Sequence, residues 1–236
     1  MNLIIDIGNT RTKVAVFNNN VINKLQIFDS NTFDINKLLD NNFSQPIILS
    51  SVKSEIKSIN STSTTIFFDN KTPLPIKNDY KSETIGGDRL ASAVGASTLF
   101  PNKDCLIIDL GSAITIDLLT KDQTFVGGNI SVGMSLRFKT LYNYTEKLPL
   151  IEKSELVNLT SDTTEMAIRS GVVKGIVYEL EGYINEYKKR YPEIKIILTG
   201  GDANFFEKQL KKRIFADENI VLKGLNRILE YNVDTK

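Results

Sequence analysis

Residues 4–9 read Ile-Ile-Asp-Ile-Gly-Asn, and residues 107–112 read Ile-Ile-Asp-Leu-Gly-Ser, so an apolar run ending in Asp-x-Gly occurs twice. Each copy predicts a buried β-strand that ends in a tight turn, because β-branched runs favour strands and glycine permits turns. Thr12 and Thr115 keep the same spacing from the two copies. One such ending arises easily by chance. Two, about a hundred residues apart, indicate a domain duplication.

Hydrophobic periodicity and turn residues predict the remaining elements. We expect strands at 3–7, 12–17, 21–27, 47–50, 64–68, 105–109, 113–119, 124–130, 195–199 and 220–222, and helices at 33–41, 53–59, 89–99, 134–143, 162–190, 202–212 and 224–231. This order predicts an α/β protein of two duplicated domains, residues 1–100 and 101–236. In each, a three-strand meander opens a mixed sheet that helices flank, with a cleft between the domains.

Composition excludes several classes of function. The net charge of +1 provides no basic surface of the kind that nucleic-acid binding requires. No segment approaches the roughly 20 apolar residues that span a bilayer, and the start MNLIIDIGNT lacks the charged region of a signal peptide. The single Cys105 cannot form an internal disulfide, so we expect a cytoplasmic protein that binds neither nucleic acid nor membrane.

The absence of histidine limits the chemistry further. Ser-His-Asp catalysis and histidine-ligated metal sites are excluded, and one cysteine excludes a thiolate zinc site. A general base must therefore be a carboxylate, a lysine or a tyrosine, and a metal ion must be held by oxygen atoms. That combination suits phosphoryl transfer assisted by Mg²⁺.

Three glycine turns are candidate nucleotide contacts. Backbone N–H groups at an Asp-x-Gly turn can point at phosphate oxygens, and two such turns can hold the β- and γ-phosphates of ATP from both sides. Thr10, Arg11 and Lys13 add donors to the first turn, although the two cations also fit a solvated strand face. Gly200 and Gly201 form a strand–Gly-Gly–helix turn, which is a nucleotide contact or a plain βα connection.

The motifs together resemble the actin-like ATPase and sugar-kinase superfamily, with its ribonuclease H-like domains, and within it the type III pantothenate kinases. The similarity covers nearly the whole chain. It rests on DIGNTRTK (6–13), GGDR (86–89), DLGSAIT (109–115), GGNISVGMSL (127–136), TEMAIRSG (164–171) and TGGDA (199–203). The resemblance implies ATP-dependent phosphorylation of pantothenate to 4′-phosphopantothenate, the first step of coenzyme A biosynthesis.

The resemblance also implies a role for each matching residue. Asp88 is the expected general base, although the local sequence fits a helix N-cap equally well. The other expected substrate-binding residues are Tyr80, Gly86, Gly87, Arg89 and Thr164, where Arg89 pairs with a carboxylate of the substrate. A core or surface aromatic is the simpler interpretation of Tyr80, and a first-turn helix hydroxyl that of Thr164.

For the nucleotide, the resemblance implies MgATP and a monovalent cation, K⁺ or NH₄⁺. The expected ATP-binding residues are Asp6, Gly8, Asn9, Thr10, Arg11, Lys13, Ser112, Gly200 and Gly201. Asp6 is expected to hold Mg²⁺ through phosphates or water, and Asp109 the monovalent ion. Val132 stands where the family has proline before Gly133, and this departure puts the rigidity of that turn in doubt.

The resemblance further implies a homodimer formed through the long helix at 162–190. Gly171 and Gly175 lie four residues apart there and are expected to leave a notch for another helix. Two alternatives stay open. Another enzyme of the superfamily, such as an acetate-type or sugar kinase or a polyphosphatase, would share the phosphate turns. A non-catalytic nucleotide-binding regulator of transcription would need a basic surface or an added helix-turn-helix.

Overall fold

The computed structural model describes residues 1–39, 45–52, 64–210 and 214–234, so the helix expected at 53–59 lies outside the described residues. The chain forms two compact units. The first contains Met1–Asn102, Leu119–Val126 and Asn219–Lys236, and the second contains Lys103–Leu118 and Gly127–Glu218. These units differ from two contiguous halves that meet at residue 100.

The elements follow one another in the order that the sequence pattern predicts, with local differences. They are β1 (Asn2–Ile7), β2 (Arg11–Asn18), β3 (Val21–Asp29), α1 (Ile35–Leu38), β4 (Ile47–Ser51), β5 (Thr65–Phe67), β6 (Lys77–Asn78), α2 (Gly87–Leu99), β7 (Cys105–Leu110), β8 (Ala113–Leu119), β9 (Thr124–Val132), α3 (Met134–Asn143), α4 (Thr164–Arg190), β10 (Lys195–Thr199), α5 (Ala203–Leu210), β11 (Phe215–Ala216) and α6 (Ile220–Asp234).

The first sheet has the strand order β3-β2-β1-β4-β5. The meander β1-β2-β3 is antiparallel, while β4 runs parallel to β1 and β5 parallel to β4. In this register Asp6 at the end of β1 lies opposite Lys13 on β2 and Ser50 on β4. The central strand β1 is therefore buried along most of its length and presents its last polar residue between two neighbouring strands.

The second sheet has the order β11-β10-β7-β8-β9-β6. Without β6, it repeats the first sheet strand for strand, since β7, β8, β9, β10 and β11 take the places of β1, β2, β3, β4 and β5. Asp109 on β7 lies opposite Thr199 on β10, as Asp6 lies opposite Ser50. The duplication inferred from two short stretches of sequence thus extends to the topology of both sheets.

The strand predicted at 220–222 is wrong, because these residues form the first turn of α6. Ile220 and Leu222 are fully buried, and a short apolar run does not distinguish a buried strand from a buried helix. α6 packs closely against α2: a Cβ on Gly224 would lie 1.8 Å from the carbonyl oxygen of Ala91, and one on Gly95 would lie 2.3 Å from that of Ile220. Glycine at both positions therefore permits the contact.

The long helix α4 forms much of the core of the second unit. Val173, Ile176, Leu180 and Ile184 are completely buried against the sheet. Cys105 is buried in β7, and burial raises the pKa of its thiol to about 12, so the thiol stays protonated. No helix in the described part of the chain combines the length and the apolar character needed to cross a lipid bilayer.

Candidate functional site

The first Asp-x-Gly turn is a short, pinned connection between β1 and β2. The Gly8 N–H donates to the Arg11 carbonyl at 3.1 Å, and a Cβ on Gly8 would lie 3.0 Å from that oxygen. The Thr10 carbonyl accepts from the Ser30 N–H, while the Thr12 hydroxyl bonds to the Ser30 hydroxyl at 2.8 Å. Asn9, Thr10 and Arg11 are exposed at the tip. Hydrogen bonds thus fix the base of the turn, while its tip is exposed to solvent.

Asp6 lies in the most unusual electrostatic environment of this turn. Its half-buried carboxyl has a pKa raised to about 6, chiefly because burial disfavours the charged form and secondly because the Asp88 carboxylate repels it. The Lys13 ammonium and a hydrogen bond with Ser50 act in the opposite direction. The structure therefore brings together Asp6 and Lys13 of the DIGNTRTK motif and Asp88 of the GGDR motif.

The GGDR motif forms the first turn of α2. Gly86 is the N-cap, so the interpretation of Asp88 as the N-cap is wrong: Asp88 is the second helical residue, and its Oδ1 accepts the Arg89 N–H at 2.8 Å. A Cβ on Gly86 would lie 2.4 Å from this Oδ1, and one on Gly87 3.2 Å from the Phe68 ring. The two glycines therefore leave space for the Asp88 carboxylate and for close packing beneath it.

Arg89 is almost fully buried, at 5% exposure, among aromatic rings. Its guanidinium carbon lies 5.1 Å from the ring centre of Tyr80 and 6.0 Å from that of Phe125. The two rings lie 6.2 Å apart. Tyr80 is half-buried beside the predicted substrate-binding arginine.

The second Asp-x-Gly turn is enclosed by other glycines of its own unit. Gly200 has φ +89°, and a Cβ there would lie 2.4 Å from Asp109 Oδ1. The Gly133 N–H donates to the Ser112 carbonyl at 3.0 Å, and a Cβ on Gly133 would lie 2.1 Å from the carbonyl oxygen of Gly111. The turn at Gly133 therefore forms despite the absence of proline, and α3 begins directly after it.

The third glycine turn leads from β10 into α5. The Asp202 N–H donates to the Leu110 carbonyl at 3.0 Å, and the Asp202 carboxylate accepts from the Lys153 ammonium at 2.5 Å. Gly201 is exposed, and a Cβ there would contact nothing within 4 Å. The turn is therefore fixed to the end of β7 through Gly200 and Asp202, with Gly201 facing outward.

Thr164 is the exposed first residue of α4, while the N-cap is Thr163, whose hydroxyl accepts the Met166 N–H. Along the same helix, a Cβ on Gly171 would meet nothing within 4 Å, but one on Gly175 would lie 3.8 Å from Arg137 Nη1. The predicted notch is therefore open at Gly171 and partly covered at Gly175. A groove of about 770 Å³ follows α4 further along, lined by Asn129, Tyr178, Glu179, Gly182, Tyr183, Glu186, Tyr187, Lys189 and Arg190.

Three residues that contribute to these arrangements were not among the predicted site residues. Ser50 contacts Asp6 from β4, Phe125 stacks on Arg89 from β9, and Gly133 packs on the second turn. Ser50 and Phe125 follow ordinary strand patterns, so only their pairing partners identify them. Gly133 stood in a quoted motif and was recognisable as a turn residue.

The oxygen atoms at the two Asp-x-Gly turns could hold a cation such as Mg²⁺ only together with the phosphates of a bound nucleotide. Within residues 1–39, 45–52, 64–210 and 214–234, no group of three or more His, Cys, Asp or Glu side chains could hold a metal ion. Asp6 and Asp109 offer single carboxylates at the ends of two strands. A cation bound by either one would complete its coordination with phosphate oxygens and water, the ligands that Mg²⁺ prefers.

Sequence comparison gives one consistent result. A family model of type III pantothenate kinases matches residues 2–186. A type III pantothenate kinase from Phocaeicola vulgatus is 41% identical over 241 residues, which cover 98% of this chain and 99% of the relative. The match therefore extends over both units.

Structural comparison identifies more distant relatives. A Campylobacter jejuni protein described as a conserved Baf family transcriptional activator has a TM-score of 0.66 at 22% identity and covers 98% of this chain and 99% of its own. A Sinorhizobium meliloti protein described as a 2-dehydro-3-deoxygalactonokinase has a TM-score of 0.60 at 11% identity, with the same coverage. At these identities the likeness concerns the fold, which is the two-domain actin-like α/β fold expected from the sequence.

Proposed function

Because the chain belongs to the type III pantothenate kinase family, we propose that it phosphorylates pantothenate at the 4′-hydroxyl with MgATP. The product is 4′-phosphopantothenate, an intermediate of coenzyme A synthesis, and we place the reaction in the cytoplasm. The observation that carries the proposal is the position of Asp88. Its carboxylate lies in the first turn of α2, close enough to Asp6 on β1 for their charges to interact.

Asp88 is the general base of the proposed reaction. The hydroxyl oxygen of pantothenate forms a bond to the γ-phosphorus while the bond from that phosphorus to the bridging oxygen of ADP breaks. The hydroxyl proton passes to the Asp88 carboxylate, and the electron pair of the broken bond leaves with ADP. The Asp88 carboxylate lies close enough to Asp6 to raise the pKa of the Asp6 carboxyl by repulsion, so the proposed base lies beside the end of β1.

Arg89 and Tyr80 hold the opposite end of the substrate in this proposal. Pantothenate carries one carboxylate, and a planar guanidinium is the group that binds carboxylates with two parallel hydrogen bonds. Gly86 keeps a Cβ away from the Asp88 carboxylate, and Gly87 allows the helix start to pack against the Phe68 ring. Thr164 is assigned to the substrate only through the family motif, since its exposed hydroxyl begins α4.

The nucleotide is assigned to the three glycine turns. Asn9, Thr10, Arg11 and Lys13 supply donors at the first turn, Ser112 at the second, and Gly200 and Gly201 at the third. Mg²⁺ bound with ATP would neutralise phosphate charge, and Asp6 would hold it through phosphates or water. The repulsion between Asp6 and Asp88 supports this assignment because a cation would relieve it.

The direct test is a coupled assay of ADP release with pantothenate, MgATP and K⁺, followed by identification of the phosphorylated product by mass spectrometry. We expect turnover that depends on pantothenate. Turnover with a sugar or a carboxylic acid, and none with pantothenate, would instead assign the chain to another activity of the superfamily. ATP binding without turnover of any acceptor would favour a nucleotide-binding regulator.

Asp109 is the proposed ligand of a monovalent cation, K⁺ or NH₄⁺. Its half-buried carboxylate ends β7 and lies against the backbone of Gly200. Replacement of K⁺ by Na⁺ at constant ionic strength should lower activity, and Asp109→Asn should make the remaining activity insensitive to the ion. Equal activity of the wild-type protein in both salts would refute this role.

We also propose a homodimer that uses α4. Tyr178 is 55% exposed beside Gly182, where a Cβ would meet nothing within 4 Å, so the helix presents an aromatic side chain next to open backbone. Sedimentation equilibrium at micromolar concentrations should give about twice the 26.5 kDa chain mass. Tyr178→Glu should shift the mass toward the monomer, and a wild-type monomer throughout this range would refute the proposal.

A further inference from the structure

Arg89 contacts two aromatic rings, although binding a substrate carboxylate needs only its guanidinium. Its guanidinium lies over the faces of two rings, 5.1 Å from Tyr80 and 6.0 Å from Phe125. Tyr80 is half-buried, but Phe125 has no exposed surface at all. Phe125 therefore cannot contact a ligand before its neighbours move, whereas Arg89 and Tyr80 retain some exposed surface.

A buried guanidinium is held in place by its surroundings. Burying a charge is costly, and aromatic faces offset part of this cost because their negative face attracts a cation. A flexible arginine side chain also loses conformational freedom when it binds a carboxylate. Rings that fix the guanidinium plane beforehand reduce that loss, because the binding geometry already exists in the free protein.

The two-residue strand β6 joins the backbone segments that carry the two rings. In β6, the Lys77 N–H donates to the Gln123 carbonyl at 2.9 Å. Just beyond it, the Asp79 N–H donates to the Phe125 carbonyl at 3.0 Å. The Asn78 side chain then accepts the Tyr80 N–H at 3.1 Å. The backbone that carries Tyr80 is therefore tied directly to the backbone that carries Phe125.

We propose that Phe125 is a positioning residue for substrate recognition: its ring orients the Arg89 guanidinium toward the carboxylate of pantothenate. This inference rests on the proposed function and extends it to a residue that does not touch the substrate. Phe125 acts on the substrate through the Arg89 guanidinium, so it contributes to binding of the carboxylate and not to proton transfer at Asp88. The role differs from general core packing, which would affect all activities together.

A matched pair of variants separates these roles. Phe125→Leu removes the ring but keeps an apolar side chain, and Phe17→Leu makes the same change at a phenylalanine that is also completely enclosed, on β2. For each variant the experiment measures KM and kcat for pantothenate. It also measures the inhibition constant of pantothenol, the neutral analogue in which an alcohol replaces the carboxylate.

We expect Phe125→Leu to raise the KM for pantothenate about tenfold while kcat stays within about twofold, because a cation–π contact is lost from carboxylate binding. The inhibition constant of pantothenol should not change. Phe17→Leu should leave both constants close to those of the wild type. Phe125→Met, which fills nearly the same volume without a ring, should reproduce the rise in KM if Phe125→Leu does not fold.

The inference is overturned if either Phe125 variant matches Phe17→Leu, or if pantothenol binding weakens in parallel with pantothenate binding. In a double-mutant cycle, adding Phe125→Leu to Arg89→Ala should not raise KM further, and an independent second loss would also overturn it. Absence of pantothenate phosphorylation in the wild-type protein would instead defeat the proposed function, and the inference with it.

Discussion

The two Asp-x-Gly turns share one topology but differ in their chemistry. In the first unit Asp6 lies opposite Ser50, and in the second Asp109 lies opposite Thr199, so both carboxylates end a central strand beside a hydroxyl residue. Around Asp6 the neighbours are charged, namely Asp88 and Lys13. At Asp109 the backbone of Gly200 packs so closely that a Cβ there would lie 2.4 Å from the Asp109 Oδ1.

The difference continues through the strand that follows each turn. Arg11 and Lys13 on β2 correspond to Ile114 and Ile116 on β8, at the spacing that aligns the two repeats. Arg11 is exposed, whereas both isoleucines are buried. The two units therefore share a strand order, but the described positions that hold Arg11 and Lys13 in the first unit hold isoleucines in the second. Topology identifies equivalent positions, but side chains decide which copy carries charge.

A second resemblance between the units is a Gly-Gly-Asp sequence near the start of a helix. Gly86 and Gly87 precede Asp88 at α2, and Gly200 and Gly201 precede Asp202 at α5. Asp202 is neutralised by Lys153, with which it forms an ion pair. Asp88 instead faces the like charge of Asp6. The proposed base is therefore the aspartate that lies beside another carboxylate, whereas Asp202 is paired with a cation.

The largest effect should come from the two aspartates. Asp88→Asn should lower kcat by about 10³-fold because the general base is lost. Asp202→Asn, in the Gly-Gly-Asp sequence of the second unit, should leave kcat within about threefold. Initial rates with saturating pantothenate and MgATP measure both effects, and circular dichroism verifies the fold. Full activity of Asp88→Asn would disprove the assignment of the base.

The next effect concerns the glycines of the second unit. Gly200→Ala should reduce the free energy of unfolding by about 3 kcal/mol, because φ is +89° and the added Cβ would overlap Asp109 and the Leu110 backbone. Gly201→Ala should change it by less than about 0.5 kcal/mol, since its Cβ meets nothing within 4 Å. Urea denaturation followed by fluorescence compares the two variants. Equal destabilisation would contradict the strain at Gly200.

The raised pKa of Asp6 predicts an effect on stability that depends on pH. Its folded pKa of about 6 exceeds the ordinary 3.8, so the ionised carboxylate destabilises the folded state. Its stabilising contribution is full below pH 3.8 and is lost as the pH rises through about 6. Asp6→Asn should therefore be about 2 kcal/mol more stable than wild type at pH 8. This gain should shrink at pH 5.

Thermal unfolding of both proteins in EDTA, without nucleotide, measures this difference because no bound cation then masks it. A difference in unfolding free energy that stays constant between pH 5 and pH 8 would contradict the raised pKa. A variant that is less stable than wild type at pH 8 would show that ionised Asp6 is needed for folding.

The smallest expected effect is at Gly86. A Cβ there would lie 2.4 Å from Asp88 Oδ1, the same distance as between a Cβ on Gly200 and Asp109 Oδ1. The backbone at Gly86 has φ −63°, which alanine adopts without strain. Gly86→Ala should therefore move only the Asp88 side chain, lowering kcat about tenfold. The unfolding free energy should fall by less than about 1 kcal/mol. A larger loss of stability would show that Gly86 has a backbone role like that of Gly200.

The sequence predicted most strands and helices of the protein because these elements depend on local patterns. The meanders were recognisable from β-branched strands separated by polar turns, and α4 from its apolar periodicity. The strand expected at 220–222 failed because Ile-Val-Leu favours a strand locally, whereas packing against α2 at Gly95 and Gly224 stabilises a helix. Contacts between distant segments overrode local preference there.

Site residues that lie within one contiguous motif were predictable from the sequence. Site residues whose role depends on which strands become neighbours were not. Asp88 and Arg89 followed from GGDR, since the four residues are adjacent. Ser50 and Phe125 could not be found in this way, because their roles depend on which strands become neighbours. The repulsion between Asp6 and Asp88 likewise joins residues of two different motifs.

The position of α6 has a consequence for synthesis on the ribosome. The first unit is formed by Met1–Asn102, but it also includes residues of α6, whose Asn226 accepts a hydrogen bond from Asn2 on β1. A ribosome therefore releases every residue of the second unit before the first unit can be completed. During translation the surface of α2 around Ala91 and Gly95 stays uncovered until α6 has been synthesised. A protease assay on nascent chains should therefore show that α2 becomes protected from cleavage only after Gly224 has emerged from the ribosome.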